Sequence, residues 1–328
     1  MRDKELPRSI ILKYVIFLFL LPSTAFAQSI TKKESAAIDQ IIADVSAKHK
    51  PATYVVRDVT VITMRANEVL EHRDVRVKNG VITAVGERLD ATDAIEIDGK
   101  SKYLMPGLTD MHVHLFDKHA LRNTWMLALL LHGVTTVRDM CGEPAKLVLR
   151  EKIRSNELLA PNLYQAGPII NGVKDNMGLF ALATTPEQGR AIVQSQKQAG
   201  YDFVKVYDHL QTDVYASIAD EAQKQQMLVA GHVPDAVALT DAATHHQSII
   251  EHLTGYFEWK ESQVTLTAPA DYATMTASAG LWNCPTLYKP LNERLKKGCR
   301  RYVCVRQCVG TRADEHIEAV GEAHQQQF

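Results

Sequence analysis

Two histidines stand two residues apart in the segment LMPGLTDMHVH, which begins at Leu104. The Pro-Gly pair at its start is typical of a chain break, and the apolar residues after it predict a β-strand. Because residues i and i+2 of a strand point to the same face, His112 and His114 can reach one metal ion. Neutral imidazole is a common zinc ligand. The pair therefore predicts part of a metal site.

Three later apolar segments each carry one further candidate ligand. Lys205 lies inside DFVKVYD, His232 follows VAG, and His252 follows SIIE. The intervals of about 20 to 30 residues between them correspond to one strand-helix unit each. Each candidate is therefore expected at the mouth of a consecutive strand, where α/β barrels keep their chemistry. A buried lysine favours its neutral amine, which is the form that reacts with carbon dioxide.

Each of these residues also has a structural interpretation. Lys205 would then be a lysine that extends its amine to water from a strand end. His232 would be a core histidine bonded to a carbonyl oxygen, and the Glu251-His252 pair would be a surface turn, although two isoleucines before it favour burial. The joint spacing of all the candidates favours the metal site.

Three more residues are candidates for contacts around the site or with substrate. Asp110 shares a strand face with His112 and His114 by alternation, which predicts that it orients them by hydrogen bonds or lies close to the metal. Asp139 ends a predicted strand and either supports the site, contacts substrate or only accepts a local hydrogen bond. Tyr207 follows Lys205 and either faces substrate or lines the rim.

Predicted strands and helices alternate around these candidates, and this alternation indicates an α/β fold with a parallel sheet. The predicted helices include 118–132, 186–199 and 211–226. The number of repeats favours a TIM-type barrel over an open doubly wound sheet, and no Gly-x-Gly-x-x-Gly motif follows the first strand. The strands are predicted near 108–113, 134–139, 161–167, 202–207, 227–232, 248–253 and 282–287.

The first 27 residues are predicted to be a signal peptide. Basic residues precede an apolar run over 14–21, and Ala25-Phe26-Ala27 precedes Gln28 as a cleavage site. The apolar run is shorter than the roughly 20 residues that span a bilayer, which argues against a membrane anchor. We expect cleavage after Ala27, no stable membrane span afterwards, and a periplasmic or secreted protein.

The rest of the chain is expected in four parts. Within residues 28–53, the sequence predicts an amphipathic helix over 33–48 and a linker. Residues 54–103 predict a small β-sandwich module whose hairpin turns at Asn79-Gly80. The barrel is expected over 104–290. An atypical tail follows over 291–328, where cysteines cluster and the periodicity is lost.

Composition narrows the class of partner. The 328 residues are 46% hydrophobic and 23% charged, as in a folded globular protein. Lys and Arg total 37 against 38 for Asp and Glu, so the chain lacks the basic excess of a nucleic-acid-binding protein. Five cysteines, an odd total, argue against a complete disulfide framework. A small-molecule substrate is expected, and a homo-oligomer is left open.

Together, the HVH motif, the strand lysine and the two later histidines resemble the metal-dependent amidohydrolase superfamily. The segments GVTTVRD, which ends at Asp139, and GHVP, which contains His232, are similar to its imidazolonepropionase-like and prolidase-like branch. The resemblance covers about residues 54–290. It implies a TIM barrel with a β-sandwich formed by the segments before and after the barrel.

The resemblance also implies a ligand set and a reaction. His112 and His114 would hold one divalent ion, His232 and His252 a second, and Lys205, carboxylated by carbon dioxide, would bridge them. Zinc is expected, with manganese, iron or cobalt as alternatives. The implied reaction is hydrolysis of carbon–nitrogen bonds other than protein peptide bonds, in dipeptides or cyclic amides. Hydrolysis of a phosphoester or lactone by the same metals is the alternative.

The chain departs from the family pattern near its C-terminal end. The resemblance implies an aspartate at the end of an eighth strand, which ligates a metal and accepts a proton. No residue fits this role, since Asp314 lies in a polar stretch. The catalytic residue is therefore unassigned. We expect a barrel that lacks strand 8, with a truncation or frame shift near 290–300, and an inactive remnant stays open.

Overall fold

The computed structural model describes residues 36–37, 39–44, 52–115, 119–174, 178–260, 263–266 and 269–286. The predicted signal peptide, half of the predicted helix 33–48 and the tail 291–328 lie outside them; residues 36–37 and 39–44 are helical. The chain divides into two compact units. The described residues of the first unit fall within 1–106, 116–132 and 156–160, and those of the second fall within 107–115, 133–155 and 161–328.

The first unit contains a five-stranded sheet with the order β3-β2-β1-β4, in which β5 also pairs with β1. Asn79 and Gly80 connect β2 to β3 with φ angles of 51° and 78°. Two positive φ angles in a two-residue connection are the mark of a type I′ turn, so the predicted hairpin is confirmed. Helix α1, His119–Leu131, also belongs to this unit. The strands are β1 (Thr53–Ile62), β2 (Val69–Lys78), β3 (Val81–Gly86), β4 (Ile95–Asp98) and β5 (Tyr103–Leu104).

The second unit is an α/β structure whose strands pair in parallel, as the alternation predicted. Its strands in the predicted series are β6 (Leu108–Val113), β7 (Val134–Asp139), β8 (Asn162–Gln165), β11 (Phe203–Val206), β12 (Leu228–Gly231), β13 (Ile249–Glu251) and β16 (Trp282–Cys284). Each pairs with the next in chain order, and a single bridge from Ala166 to Phe203 connects β8 to β11. Consecutive parallel pairing brings their carboxyl ends to one edge.

Four short strands were not predicted. They are β9 (Ile169–Asn171), β10 (Phe180–Leu182), β14 (Phe257–Lys260) and β15 (Gln263–Leu266). β9 and β10 extend the sheet beside β11, while β14 and β15 form a separate antiparallel pair. Strands of three or four residues leave no periodic signal in the sequence, because an alternating pattern is recognised only when it repeats several times.

Helices connect the parallel strands, and local sequence explains their ends. Thr185 caps α3 by accepting a hydrogen bond from the Gln188 amide, Pro186 opens the helix, and Gly200 ends it in the left-handed conformation at φ 87°. The predicted helices 186–199 and 211–226 are therefore confirmed to within two residues. The helices of this unit are α2 (Pro144–Arg154), α3 (Pro186–Ala199), α4 (Thr212–Lys224), α5 (Leu239–Thr244) and α6 (Pro269–Ser278).

Strand β11 is buried on both faces, which explains its apolar sequence. Val204 and Val206 pack in the main core, which also holds Val193 of α3 and Ile218 of α4. Phe203 packs on the other face in a smaller cluster with Met140, Ala166 and Ala230. Lys205 shares this second face by alternation. No helix among the described residues is long and apolar enough to cross a membrane.

Candidate metal centre

His112 and His114 lie at the carboxyl end of β6, and their rings converge. Their Nε2 atoms are 3.2 Å apart, and the ring centroids are 5.2 Å apart. Two nitrogens bound to one tetrahedral zinc ion, each at about 2.0 to 2.1 Å, are separated by roughly 3.3 Å. The observed separation therefore fits two ligands of one ion.

The other two predicted histidines lie beside this pair. The His252 ring is 4.5 Å from the His112 ring and 5.1 Å from the His232 ring, measured between centroids. The four histidines, which the chain spreads over three strand ends, thus form one continuous cluster. The sequence predicted that these histidines would lie together, because each was placed at the carboxyl end of a strand of the parallel series.

The rings of His112, His232 and His252 each have an oxygen partner at Nδ1. Nδ1 of His112 lies 2.7 Å from Glu251 Oε2, and Nδ1 of His232 lies 2.5 Å from Asp208 Oδ1. Nδ1 of His252 contacts the Thr286 hydroxyl. An ionised carboxylate can only accept, so Nδ1 carries the proton in His112 and His232, and Nε2 is the nitrogen that could ligate a metal ion. Metal-bound histidines in proteins usually have this kind of support.

The backbone at two of the candidate ligands has an unusual conformation. Gly231, just before His232, has a φ of 137°, and a Cβ there would lie 2.2 Å from the Val206 carbonyl oxygen. His252 and Leu253 have φ angles of 59° and 56°, which L residues rarely adopt. Strain of this kind persists where the surrounding structure enforces it, and it is concentrated at functional sites.

Lys205 lies in the middle of β11 and is only 1% exposed. Its Nζ is 5.9 Å from the centroid of the Tyr207 ring, which in turn packs 4.3 Å from the His232 ring. The charge of Lys205 also contributes to lowering the pKa of His112. The interpretation of Lys205 as a lysine that reaches bulk water is therefore wrong, because its side chain is buried beside the histidine cluster.

Electrostatics favour a neutral ring at His112. Burial lowers the pKa of His112 below its usual value, although the hydrogen bond with Glu251 opposes this shift. Burial alone would raise the pKa of Glu251, but the hydrogen bond from His112 and the charge of Arg138 bring it below its usual value. A neutral imidazole beside an ionised carboxylate is the state that metal binding needs.

A second group of potential ligands consists of His112, Glu251 and Cys284, whose ligand atoms lie within 4.8 Å of one another. Arg138 forms an ion pair with Glu251. Because the guanidinium already compensates the carboxylate charge, a metal cation would be attracted only weakly to this group. Burial, together with the charge of Glu251, raises the pKa of the Cys284 thiol to about 12. This group therefore fits a metal less well than the ring nitrogens do.

The supporting residues differ from their predicted roles in detail. Asp110 accepts a hydrogen bond from the backbone amide of His112 at 3.1 Å, so it contacts that ligand through the main chain. Asp139 is fully buried and accepts from the amides of Leu115 and Cys141. These contacts fix the backbone at Leu115, next to His114, and at Cys141, after β7.

Tyr207 is half-buried between two aromatic neighbours. Its ring lies 4.3 Å from that of His232 and 5.3 Å from that of Phe180. It therefore lines the cluster at the end of β11. Asp314, the weak candidate for the missing aspartate, lies outside the described residues.

Five residues of this site escaped the sequence analysis as contributors: Arg138, Asp208, Glu251, Cys284 and Thr286. A signal existed for Glu251, because a carboxylate inside the apolar segment SIIEH must find a partner when buried. Asp208 follows a buried strand in the same way. Nothing in the sequence indicated Cys284 or Thr286.

Comparison with known protein families agrees with the motifs. The model of the amidohydrolase family matches residues 103–326, which is more than half of the chain. The chain belongs to the amidohydrolase family. The match includes the second unit of the chain, all of the candidate ligands and most of the segment 291–328.

Individual members of the amidohydrolase family resemble parts of this chain. An adenine deaminase of Ruegeria sp. (strain TM1040) is 31% identical over 132 residues, which is 38% of this chain and 22% of that protein. A dihydroorotase of Halalkalibacterium halodurans is 27% identical over 188 residues, 53% of this chain and 40% of that protein. The chain thus spans less than half of these curated relatives.

A solved structure of a prolidase-like protein from Bifidobacterium longum has the same fold. It matches with a TM-score of 0.60 and 22% identity, and the alignment covers 72% of this chain and 61% of that protein. At this identity the likeness supports the fold of this amidohydrolase, an α/β structure with parallel strands.

Proposed function

We propose that this amidohydrolase is a metal-dependent hydrolase that acts on a carbon–nitrogen bond of a small molecule. The observation that carries the proposal is the pair of His112 and His114, whose Nε2 atoms lie 3.2 Å apart. Carboxylate contacts at Nδ1 of His112 and of His232 support it, because they direct Nε2 of both rings to the ligand side.

The proposed ligand set is His112 and His114 for one divalent ion and His232 and His252 for a second. Lys205, as a carbamate formed with carbon dioxide, would bridge the two, and zinc is the proposed metal. When bound, the metals would supply an activated water and polarise the scissile carbonyl. The proposed architecture is a TIM-type barrel whose strand ends carry these residues.

The substrates proposed are dipeptides or cyclic amides. The names of the relatives, adenine deaminase, dihydroorotase and a prolidase-like protein, all refer to hydrolysis of a carbon–nitrogen bond outside a protein. The half-buried rings of Phe180 and Tyr207, next to His232, provide an apolar wall for the body of such a molecule. Tyr207 and this wall would position the substrate rather than react with it.

The first test is the metal content of the purified protein after extensive dialysis, measured by elemental analysis. About two equivalents per chain are expected, and His112→Ala and His232→Ala should each lose metal. His72→Ala is the matched control, because His72 is a highly exposed histidine of the first unit. Unchanged metal content in both site variants would refute the ligand assignment.

The second test is a substrate panel that separates the reactions. Xaa-Pro dipeptides and cyclic amides are compared with a lactone and a phosphotriester, with and without added zinc. Turnover of an amide that His114→Ala abolishes supports the proposal. Turnover of the lactone or phosphotriester alone would assign the alternative reaction, and two bound metals with no turnover of any compound would indicate an inactive remnant.

We also propose export to the periplasm after cleavage behind Ala27. The basic residues, apolar run and small-residue site of the first 27 residues support this. Expression in a Gram-negative host and N-terminal sequencing of the periplasmic fraction tests it. A mature chain that begins at Gln28 is expected, whereas an uncleaved chain in the cytosol would contradict the proposal.

A further inference from the structure

A buried carboxylate joins strands from opposite ends of the parallel series. Glu251, on β13, is fully buried, and its two oxygens have different partners. Oε1 forms an ion pair with Arg138 of β7, and Oε2 lies 2.7 Å from Nδ1 of His112 on β6. The Cys284 thiol on β16 bonds to the same carboxylate. A single side chain thus contacts residues of three other strands.

The strands that Glu251 joins are the first two and the last two of the described series. β6 pairs with β7, and β13 pairs with β16, where Glu251 and Cys284 are direct partners in register. In the part of the chain that the structure describes, no ladder pairs β6 with β16. The contacts of Glu251 therefore connect two sets of strands that the backbone ladders leave apart.

Arg138 holds Glu251 in this bridging position. Its Nη2 pairs with the carboxylate while its Nε donates to the Met111 carbonyl oxygen at 2.8 Å, one residue before His112. The guanidinium also lies over the Phe203 ring, 5.4 Å from its centroid. A planar guanidinium with fixed contacts on three sides orients a carboxylate better than a flexible lysine would.

We propose that Glu251 is the positioning residue of His112. It connects His112, on the first strand of the series, to the last two strands, and it fixes the ring tautomer with the proton on Nδ1. Nε2 of His112 then faces Nε2 of His114. This inference uses the proposed metal site for its consequence, but the tautomer itself belongs to the metal-free protein.

The test reads the His112 tautomer directly. Long-range ¹H–¹⁵N spectra of histidine-labelled protein, recorded after metal removal and assigned with His112→Gln, should show Nδ1–H in the wild type. Glu251→Leu should shift the ring to Nε2–H and weaken zinc binding about 10- to 100-fold. Glu251→Gln keeps one acceptor oxygen, for which Arg138 and Nδ1–H compete, so it should lose less zinc affinity than Glu251→Leu.

Two further variants separate positioning from general stability. Glu251→Leu leaves the Arg138 charge buried without its partner, so the double variant Arg138→Met/Glu251→Leu removes both charges and should fold with the same altered tautomer. Glu221→Leu is the matched control, since Glu221 is a buried glutamate of α4 that bonds to Gln194 and Gln225. It should leave the tautomer and zinc affinity unchanged.

The outcomes distinguish this inference from the proposed function. An unchanged tautomer and zinc affinity in Glu251→Leu and in the double variant would overturn the role of Glu251, whatever the enzyme does. An equal loss of affinity in Glu221→Leu would overturn it as well. A wild-type protein that has the Nδ1–H tautomer but binds no zinc would refute the proposed function and leave the positioning role intact.

Discussion

Asp208 Oδ1 lies 2.5 Å from Nδ1 of His232. The contact links the loop after β11 to the residue that follows β12, and the Asp208 carbonyl oxygen accepts from the Asp235 amide at 2.8 Å. Asp208 is thereby anchored by its backbone while its side chain orients the ring. This is the same arrangement that Glu251 provides for His112, with a carboxylate at Nδ1 and Nε2 toward the cluster.

Asp208→Leu should weaken metal binding at His232 about 10- to 100-fold, because the ring loses the acceptor that fixes its tautomer. Asp208→Asn should lose less, since an amide oxygen can still accept. Competition titration with a zinc chelator measures the change. Asp220→Leu is the control, because the Asp220 carboxylate also contacts a histidine Nδ1, that of His245 at 3.4 Å, outside the cluster. Equal affinities for all variants would contradict the role of Asp208.

Lys205→Met should reduce the metal content from about two equivalents to one at most, because the proposed bridge between the two ions is lost. Intact mass spectrometry under native conditions should detect one added carbon dioxide in the wild type and none in the variant. Lys146→Met is the matched control, since Lys146 is also buried, at 2% exposure. The carbamate would be ruled out by a wild-type mass without that addition in metal-loaded protein.

Gly231→Ala should destabilise the protein by more than about 4 kcal/mol or prevent soluble expression. The added Cβ would lie 2.2 Å from the Val206 carbonyl oxygen, where β11 and β12 pair in register, and the φ of 137° strains any L residue. Gly80→Asn is the control, because that site has open space and Asn accepts a left-handed conformation. Denaturant unfolding measures the free energy of unfolding of each protein. Equal values for both variants and the wild type would contradict the prediction.

Stability should depend on pH through Asp139. Burial raises the pKa of Asp139 from its ordinary value of 3.8 to about 6 in the folded chain. The folded state therefore holds this proton more tightly, and its contribution to stability is present below about pH 4 and is lost as the pH rises through about 6. The difference in unfolding free energy between the wild type and Asp139→Asn should fall by about 3 kcal/mol across this range.

Urea unfolding of both proteins between pH 4 and pH 7 measures that difference. Asp139→Asn also loses the ion pair with Lys146, whose charged atom lies 3.1 Å from the carboxylate. This loss changes the free energy of unfolding of the variant but not the direction of the pH dependence. A difference that rises with pH would show that the carboxylate is ionised more easily in the folded chain than in the unfolded one.

Local sequence was sufficient for the longer strands and helices and for the identity of the candidate ligands. The hairpin at Asn79-Gly80 follows from residues that accept positive φ, and the helix from Pro186 to Ala199 follows from its capping threonine and terminal glycine. His112 and His114 were predicted from alternation along one strand. These features depend on neighbours within a few residues, so one sequence is enough to predict them.

Only the tertiary structure decided which residues support the ligands. Glu251 and His112 are separated by 139 positions in the chain, and Asp208 and His232 by 24. No periodic pattern relates such positions, because their contact depends on how consecutive parallel strands bring their ends together. The sequence determined the types of chemical groups and the strands that carry them. The packing of those strands determined that Arg138, Glu251 and Asp208 orient the rings.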